Sequence, residues 1–261
     1  MVTNLFRIMT STELVVTNLL NKILKILLKS IAHFLKGRII SGVRKGKLLN
    51  FKGKKMKIVL DTETCGGFGS PIVYDLGWVV ATDNGEIVKT RSYIIKEVYD
   101  NQKLFQTAYY HEKRPIYEMR LQSKYSKKVW LNYALRQLKL DMKKYGVEKF
   151  AYNSSFDNRA IKSTMAKYQK DKYNPLENAI VDIMDFIKPI TNTEQYKKYC
   201  KENGYMTKHK KPQPRKTAEI LYRYLTGNKD FMEDHTALED SKIELFILMS
   251  ALKLLECQEE K

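Results

Sequence analysis

The chain has 261 residues, 43% of them hydrophobic, which suits one globular domain with a sizeable core and some additional chain. Lysine and arginine (47) outnumber aspartate and glutamate (29), and the formal charge of +18 favours a polyanionic partner, either nucleic acid or an acidic membrane surface. Three scattered cysteines without a CxxC pair speak against a disulfide framework or a thiolate zinc site, and no run of eighteen uncharged apolar residues exists to make an ordinary transmembrane helix.

Residues 1–55 differ from the rest. They carry twelve basic residues and one acid, Glu13, so +11 of the +18 lies here and +7 remains for residues 56–261. Residues 14–37 (LVVTNLLNKILKILLKSIAHFLKG) put Val16, Leu19, Leu20, Ile23, Leu24, Leu27 and Ile31 on one helical face and Lys22, Lys25, Lys29 and Lys36 on the other. This pattern fits an interfacial membrane helix, an acid-poor targeting segment, or sequence with no role in the domain. The first strand follows directly after Met56. We therefore read residues 1–55 as a basic N-terminal extension, disordered or dispensable, with Met56 as the natural start of a domain spanning 56–261.

From Lys57 strands and helices alternate. Residues 57–64 (KIVLDTET) read as a buried strand; 73–82 and 86–96, joined by the turn Asp83-Asn84-Gly85, complete an antiparallel meander. Residues 129–146 form an amphipathic helix ended by Gly146, 149–155 a strand, and 158–170 a helix. Residues 179–190 (AIVDIMDFIKPI) are apolar enough for a fifth strand stopped near Pro189, and helices over 191–204, 217–227 and 237–255 close the chain. The fold class is a mixed α/β sheet of five strands, three antiparallel and two parallel, flanked by helices.

Acids occupy telling positions in this pattern. Asp61 and Glu63 lie at i and i+2 on a strand, so both carboxylates face one side, where like charges are costly without a cation between them. Hard divalent ions favour such oxygen ligands. Asp157 follows a later strand (149–155) at a helix start, and His235 precedes Asp240 by five residues at the start of the last helix. Taken singly, each has an ordinary reading: a solvated strand face for Asp61 and Glu63, a helix N-cap for Asp157, a surface helix-flanking residue for His235, with Glu233, Asp234 and Glu239 nearby as charges favouring the helix dipole.

Together, DTETCG (61–66), NSSFD (153–157) and HTALED (235–240) resemble the three motifs of the DEDDh 3′–5′ exonuclease family, of bacterial or phage type, over roughly residues 57–254. The resemblance implies a ribonuclease-H-like fold and a phosphodiesterase using two divalent ions, Mg²⁺ or Mn²⁺. Asp61 would bridge both ions, Glu63 and Asp240 would complete the site of the attacking water, Asp157 would serve the second ion, and His235 would accept the water's proton. Thr62, Thr64, Cys65, Gly66, Asn153 and Phe156 would line the terminal nucleotide, although Cys65 departs from the small hydroxyl or apolar residue common there. The implied substrate is a nucleic-acid 3′ end, DNA favoured over RNA, in a bacterial or infected-cell cytoplasm, without stable membrane association. A homodimer is compatible with this resemblance. The competing reading is a nucleic-acid-binding protein that keeps the fold without cleaving.

Two further stretches suit such a partner without being specific to it. Residues 97–128 interleave Tyr99, Phe105, Tyr109, Tyr110, Tyr117 and Tyr125 with seven lysines and arginines, a mixture fit for base stacking or equally for a helical insertion that buries its tyrosines. Residues 208–216 (KHKKPQPRK) read as a proline-broken mobile loop.

Overall fold

The computed structural model describes residues 56–67, 69–169, 174–176 and 180–259. The expectations for residues 1–55 fall outside them.

Six strands form one sheet: β1 (Lys57–Cys65), β2 (Ile72–Ala81), β3 (Ile87–Ile95), β4 (Lys127–Val129), β5 (Glu148–Ala151) and β6 (Val181–Asp182), in the order β4-β3-β2-β1-β5-β6. β1, β2 and β3 pair antiparallel as a meander, while β4, β5 and β6 join in parallel. Every residue of β2 is buried, as expected of a central strand covered on both faces.

Side-chain alternation separates two apolar layers. Ile58, Leu60, Leu76 and Trp78 face α1 (Leu131–Tyr145) and α2 (Ser154–Tyr168). Val59, Val79 and Phe150 face α3 (Glu194–Glu202), α4 (Ala218–Thr226) and the long α5 (Ala237–Glu259). Asp61 and Glu63 continue the odd-numbered row of β1, so they point toward the α5 side.

Gly77 sets the seat of α5. A Cβ built there would lie 2.2 Å from Leu238 N and 2.4 Å from Ala237 C, so only glycine lets the helix N-terminus rest on β2. Gly77 is the antiparallel partner of Asp61, and Asp75 is the partner of Glu63. Asp75 Oδ2 accepts the Ala237 N–H at 3.0 Å, and Ser241 donates its hydroxyl to Gly77 O at 3.2 Å. The first turn of α5 is thereby tied beside the two acids of β1.

The sheet differs from the expected five strands in two places. Residues 179–190 supply only the two-residue β6 before turning helical, because Asp182 accepts the Met184 N–H at 2.9 Å and starts a turn over Ile183–Phe186. The sixth strand, β4, has largely exposed, lysine-rich residues and gains its strand character from pairing with β3. The stretch 208–216 is closed at its base by a bridge between Met206 and Pro214 and by the Arg215 N–H to Tyr205 O bond of 2.9 Å.

Candidate active site

The structure brings Glu63, His235 and Asp240 together: each offers a ligand atom, and these atoms lie within 4.8 Å of one another. Glu63 comes from the C-terminal half of β1, Asp240 from the first turn of α5, and His235 from the residues just before it. Asp61 and Asp157 do not enter a ligand-distance group of three among the described residues. Asp157 sits in the first turn of α2 and accepts the Thr62 hydroxyl at 2.7 Å, near enough to Asp61 for its charge to oppose that carboxyl's ionisation. Its role as N-cap is taken by Asn153, whose backbone is left-handed (φ 57°) and whose N–H goes to Asp182 Oδ1 at 3.0 Å.

These acids share one electrostatic environment. Burial, and then the charges of Glu244, Asp157, Asp240 and Glu63, push Asp61 well above the usual carboxylate range. Burial raises Glu63 to about 8, with Asp75 adding to the effect. Asp240 is raised to about 9 by burial and the charges of Glu233 and Glu63. Asp157 is raised to about 7 by burial, opposed by its Thr62 hydrogen bond. Carboxyls crowded in this way favour protonation unless a cation balances them.

The donor set fits a hard divalent cation. All the acidic donors are oxygens, and Asp240, only 8% exposed, has its Oδ1 buried without a hydrogen-bond partner. A carboxylate oxygen of Asp240 lies in the same group as Glu63 and His235, where an ion would balance these acids.

Two acids at or near this cluster, Glu244 and Asp75, escaped the sequence reading, and a third, Glu233, was read there only as a charge favouring the helix dipole. Glu244 follows Asp240 by four residues on α5, is 4% exposed, and its Oε2 accepts the Tyr152 N–H at 3.4 Å. Its signal was an acid between Ile243 and Leu245 on a buried helix face. Asp75 stood likewise inside an apolar strand. Glu233 lies with its Oε2 3.7 Å from His235 Nδ1, and burial raises its carboxyl to about 7.

The expected nucleotide-lining residues occupy mixed environments. Thr62 is buried and committed to Asp157, and Thr64 is partly exposed. Cys65 is buried with its thiol 3.5 Å from Ile72 O and raised to about 11 by burial, so it faces the core rather than the rim. Gly66 (φ +85°) donates its N–H to Thr107 Oγ1 at 2.8 Å. Asn153 is exposed, and Phe156 is partly exposed with Arg159 5.5 Å from its ring, outside both apolar layers. Both readings of the aromatic stretch are represented: Tyr99, Phe105 and Tyr117 are buried, whereas Tyr109 is 84% exposed and Tyr110 stacks on His235.

An antiparallel meander extended by parallel strands, with helices on both faces and acids at the end of its first strand, is the ribonuclease-H-like fold. No family model and no curated protein matches the chain. Among solved structures, a full-length 3′-exonuclease is similar at 12% identity and TM-score 0.50, over 77% of this chain and 82% of that one. The nuclease domain of 3′hExo, a DEDDh family member bound to rAMP, matches at 12% identity and TM-score 0.49, covering 77% of this chain and 94% of that one. An exonuclease I from Methylocaldum szegediense matches at 12% and 0.49, over 76% of this chain but only 41% of that protein. At this identity the likeness is one of fold. No helix among the described residues is long and apolar enough to cross a membrane.

Proposed function

We propose that the chain is a metal-dependent 3′–5′ exonuclease that hydrolyses phosphodiester bonds at nucleic-acid 3′ ends and releases nucleoside 5′-monophosphates. The observation that carries this reading is the convergence of Glu63, His235 and Asp240 within 4.8 Å, with a buried Asp240 oxygen lacking any partner. Asp61, Glu63, Asp157 and Asp240 would hold two divalent cations, Mg²⁺ or Mn²⁺, which when bound neutralise charge on the phosphate and make water more acidic. His235 accepts the proton of the attacking water. Burial and the nearby Lys113 charge hold its imidazole below the ordinary histidine range, which keeps it neutral and ready to accept at physiological pH. The water oxygen forms the new bond to phosphorus while the bond to the penultimate 3′-oxygen breaks, leaving a shortened strand with a 3′-hydroxyl. Thr64, Gly66, Asn153 and Phe156, with the main chain at Cys65, line the terminal nucleotide, and DNA is the favoured substrate.

The test is mononucleotide release from 3′-labelled and 5′-labelled single strands of DNA and RNA with Mg²⁺, Mn²⁺ or EDTA. Metal-dependent release from the 3′ end, lost by at least a hundredfold in Asp61→Asn, is expected. Binding without release in any metal would leave the non-catalytic reading, and release unaffected by Asp61→Asn would overturn the assignment of the site.

A further inference from the structure

His235 lies in a stretch of irregular chain, residues 228–236, and its backbone is left-handed (φ 48°), a conformation that a non-glycine residue keeps only when its surroundings hold it. Those surroundings come from a distant segment. Lys113 Nζ donates to Asp234 O at 2.8 Å, Tyr117 donates its hydroxyl to His235 O at 3.2 Å, and Arg120 lies 3.6 Å from the Asp234 carboxylate. These contacts hold the main chain and the preceding side chain.

The imidazole itself meets Tyr110. The two rings are stacked with centroids 4.0 Å apart and an interplanar angle of 11°. Rotation of the imidazole about its Cβ–Cγ bond would break this stack, so one ring face is fixed while the ring edge remains free for Glu63 and Asp240. Lys113 Nζ lies 4.9 Å from the centre of the Tyr110 ring. The segment carrying Tyr110 is itself anchored at two points. Thr107 accepts the Gly66 N–H at the end of β1, and Tyr99, Phe105 and Tyr117 pack edge-to-face around one another and around Tyr74 of β2.

We propose that Tyr110 is a positioning residue for the reaction: stacked on His235, it holds the imidazole toward Glu63 and Asp240, and this makes residues 99–120 a working wall of the active site. The proposal rests on the nuclease reading for its kinetic consequence but on geometry for the contact. Fixing a proton acceptor is worth much of its effect, because small misplacements cost one to two powers of ten in rate.

The experiment compares the full chain with Tyr110→Leu, Tyr110→Phe, His235→Ala and the double variant Tyr110→Leu/His235→Ala. Melting midpoints and Mn²⁺ calorimetry establish that each is folded and binds metal. Tyr110→Leu is expected to lower kcat about tenfold to a hundredfold with KM and Mn²⁺ affinity unchanged, Tyr110→Phe to restore it, and the double variant to equal His235→Ala alone. In ¹³C-histidine-labelled protein, the His235 resonance, assigned by its loss in His235→Ala, should move downfield in Tyr110→Leu as the ring current is removed, and stay in place in Tyr110→Phe. Losses that multiply in the double variant, an unchanged kcat, or an unmoved resonance would overturn the proposal. If the unaltered chain releases no nucleotide, the nuclease reading falls instead, and the resonance alone decides whether Tyr110 holds the ring.

Discussion

Asp61 is opposed in its ionisation by burial and then by the charges of Glu244, Asp157, Asp240 and Glu63, and this crowding carries two consequences. In EDTA, Asp157, Glu63 and Asp240 keep their protons up to about 7, 8 and 9, whereas carboxyls of an unfolded chain release theirs near pH 4. Between those limits the folded state binds more protons than the unfolded state, so stability falls as pH rises from about 4 to about 9. Melting midpoints in EDTA should therefore decline across this window, and Mn²⁺, which binds the charged carboxylates, should flatten the decline. Glu244 adds a buried carboxyl that the motif does not call for, its ionisation opposed by burial and by the charges of Asp157 and Asp240. Glu244→Gln should raise the EDTA melting midpoint at pH 8 by about 2–4 °C, the shift of roughly 1 kcal/mol in a domain of this size, and shrink the gain conferred by Mn²⁺. Scanning fluorimetry with and without metal checks both.

The elements matter through the way one helix is seated. The N-terminus of α5 touches β2 at Gly77, is capped by Asp75, and so delivers Asp240 beside Glu63. Gly77→Ala puts a methyl group against helix backbone and should cost about 3 kcal/mol, with loss of nucleotide release in whatever protein still folds. Urea unfolding monitored by circular dichroism measures it; a loss under 1 kcal/mol would mean that α5 can shift without cost. The alternation of β1 was legible in KIVLDTET, and so was the sharing of one side by its two acids. The β6 region was not: its run of apolar residues looks the same for a strand and for successive helical turns, and the Asp182 cap decided between them. β4 had no apolar pattern to read, since its partner strand creates it.

For the whole molecule, the charge that first suggested nucleic acid is divided unevenly. The described fold begins at Met56, whose carbonyl accepts the Glu148 N–H at 2.9 Å, while most of the net charge lies in residues 1–55. We propose that those residues are dispensable to the fold and to the proposed activity. A chain beginning at Met56 should retain the melting midpoint and kcat of the full protein within about twofold, and an unfolded or inactive product would refute this. Its binding to anionic vesicles should be weaker than that of the full chain if the basic amphipathic segment seeks a membrane surface.

The residues of the candidate site stood out through three short motifs taken together, two acids on one strand face, an acid at a helix start and a histidine five residues before another acid, and through their resemblance to one family, since each by itself has an ordinary reading. Strand and helix periods alone placed most elements and gave the class of fold. Tertiary structure decided which of those side chains meet. It joined Glu63, His235 and Asp240 through a glycine contact between β2 and α5, tied Asp157 to Thr62 of β1, buried Glu244 among the acids, and laid Tyr110 on His235 across 125 residues of chain. The physical reason is that backbone periodicity is a property of neighbours, whereas the cost of crowding charges and the geometry of stacking arise only between segments that packing brings together.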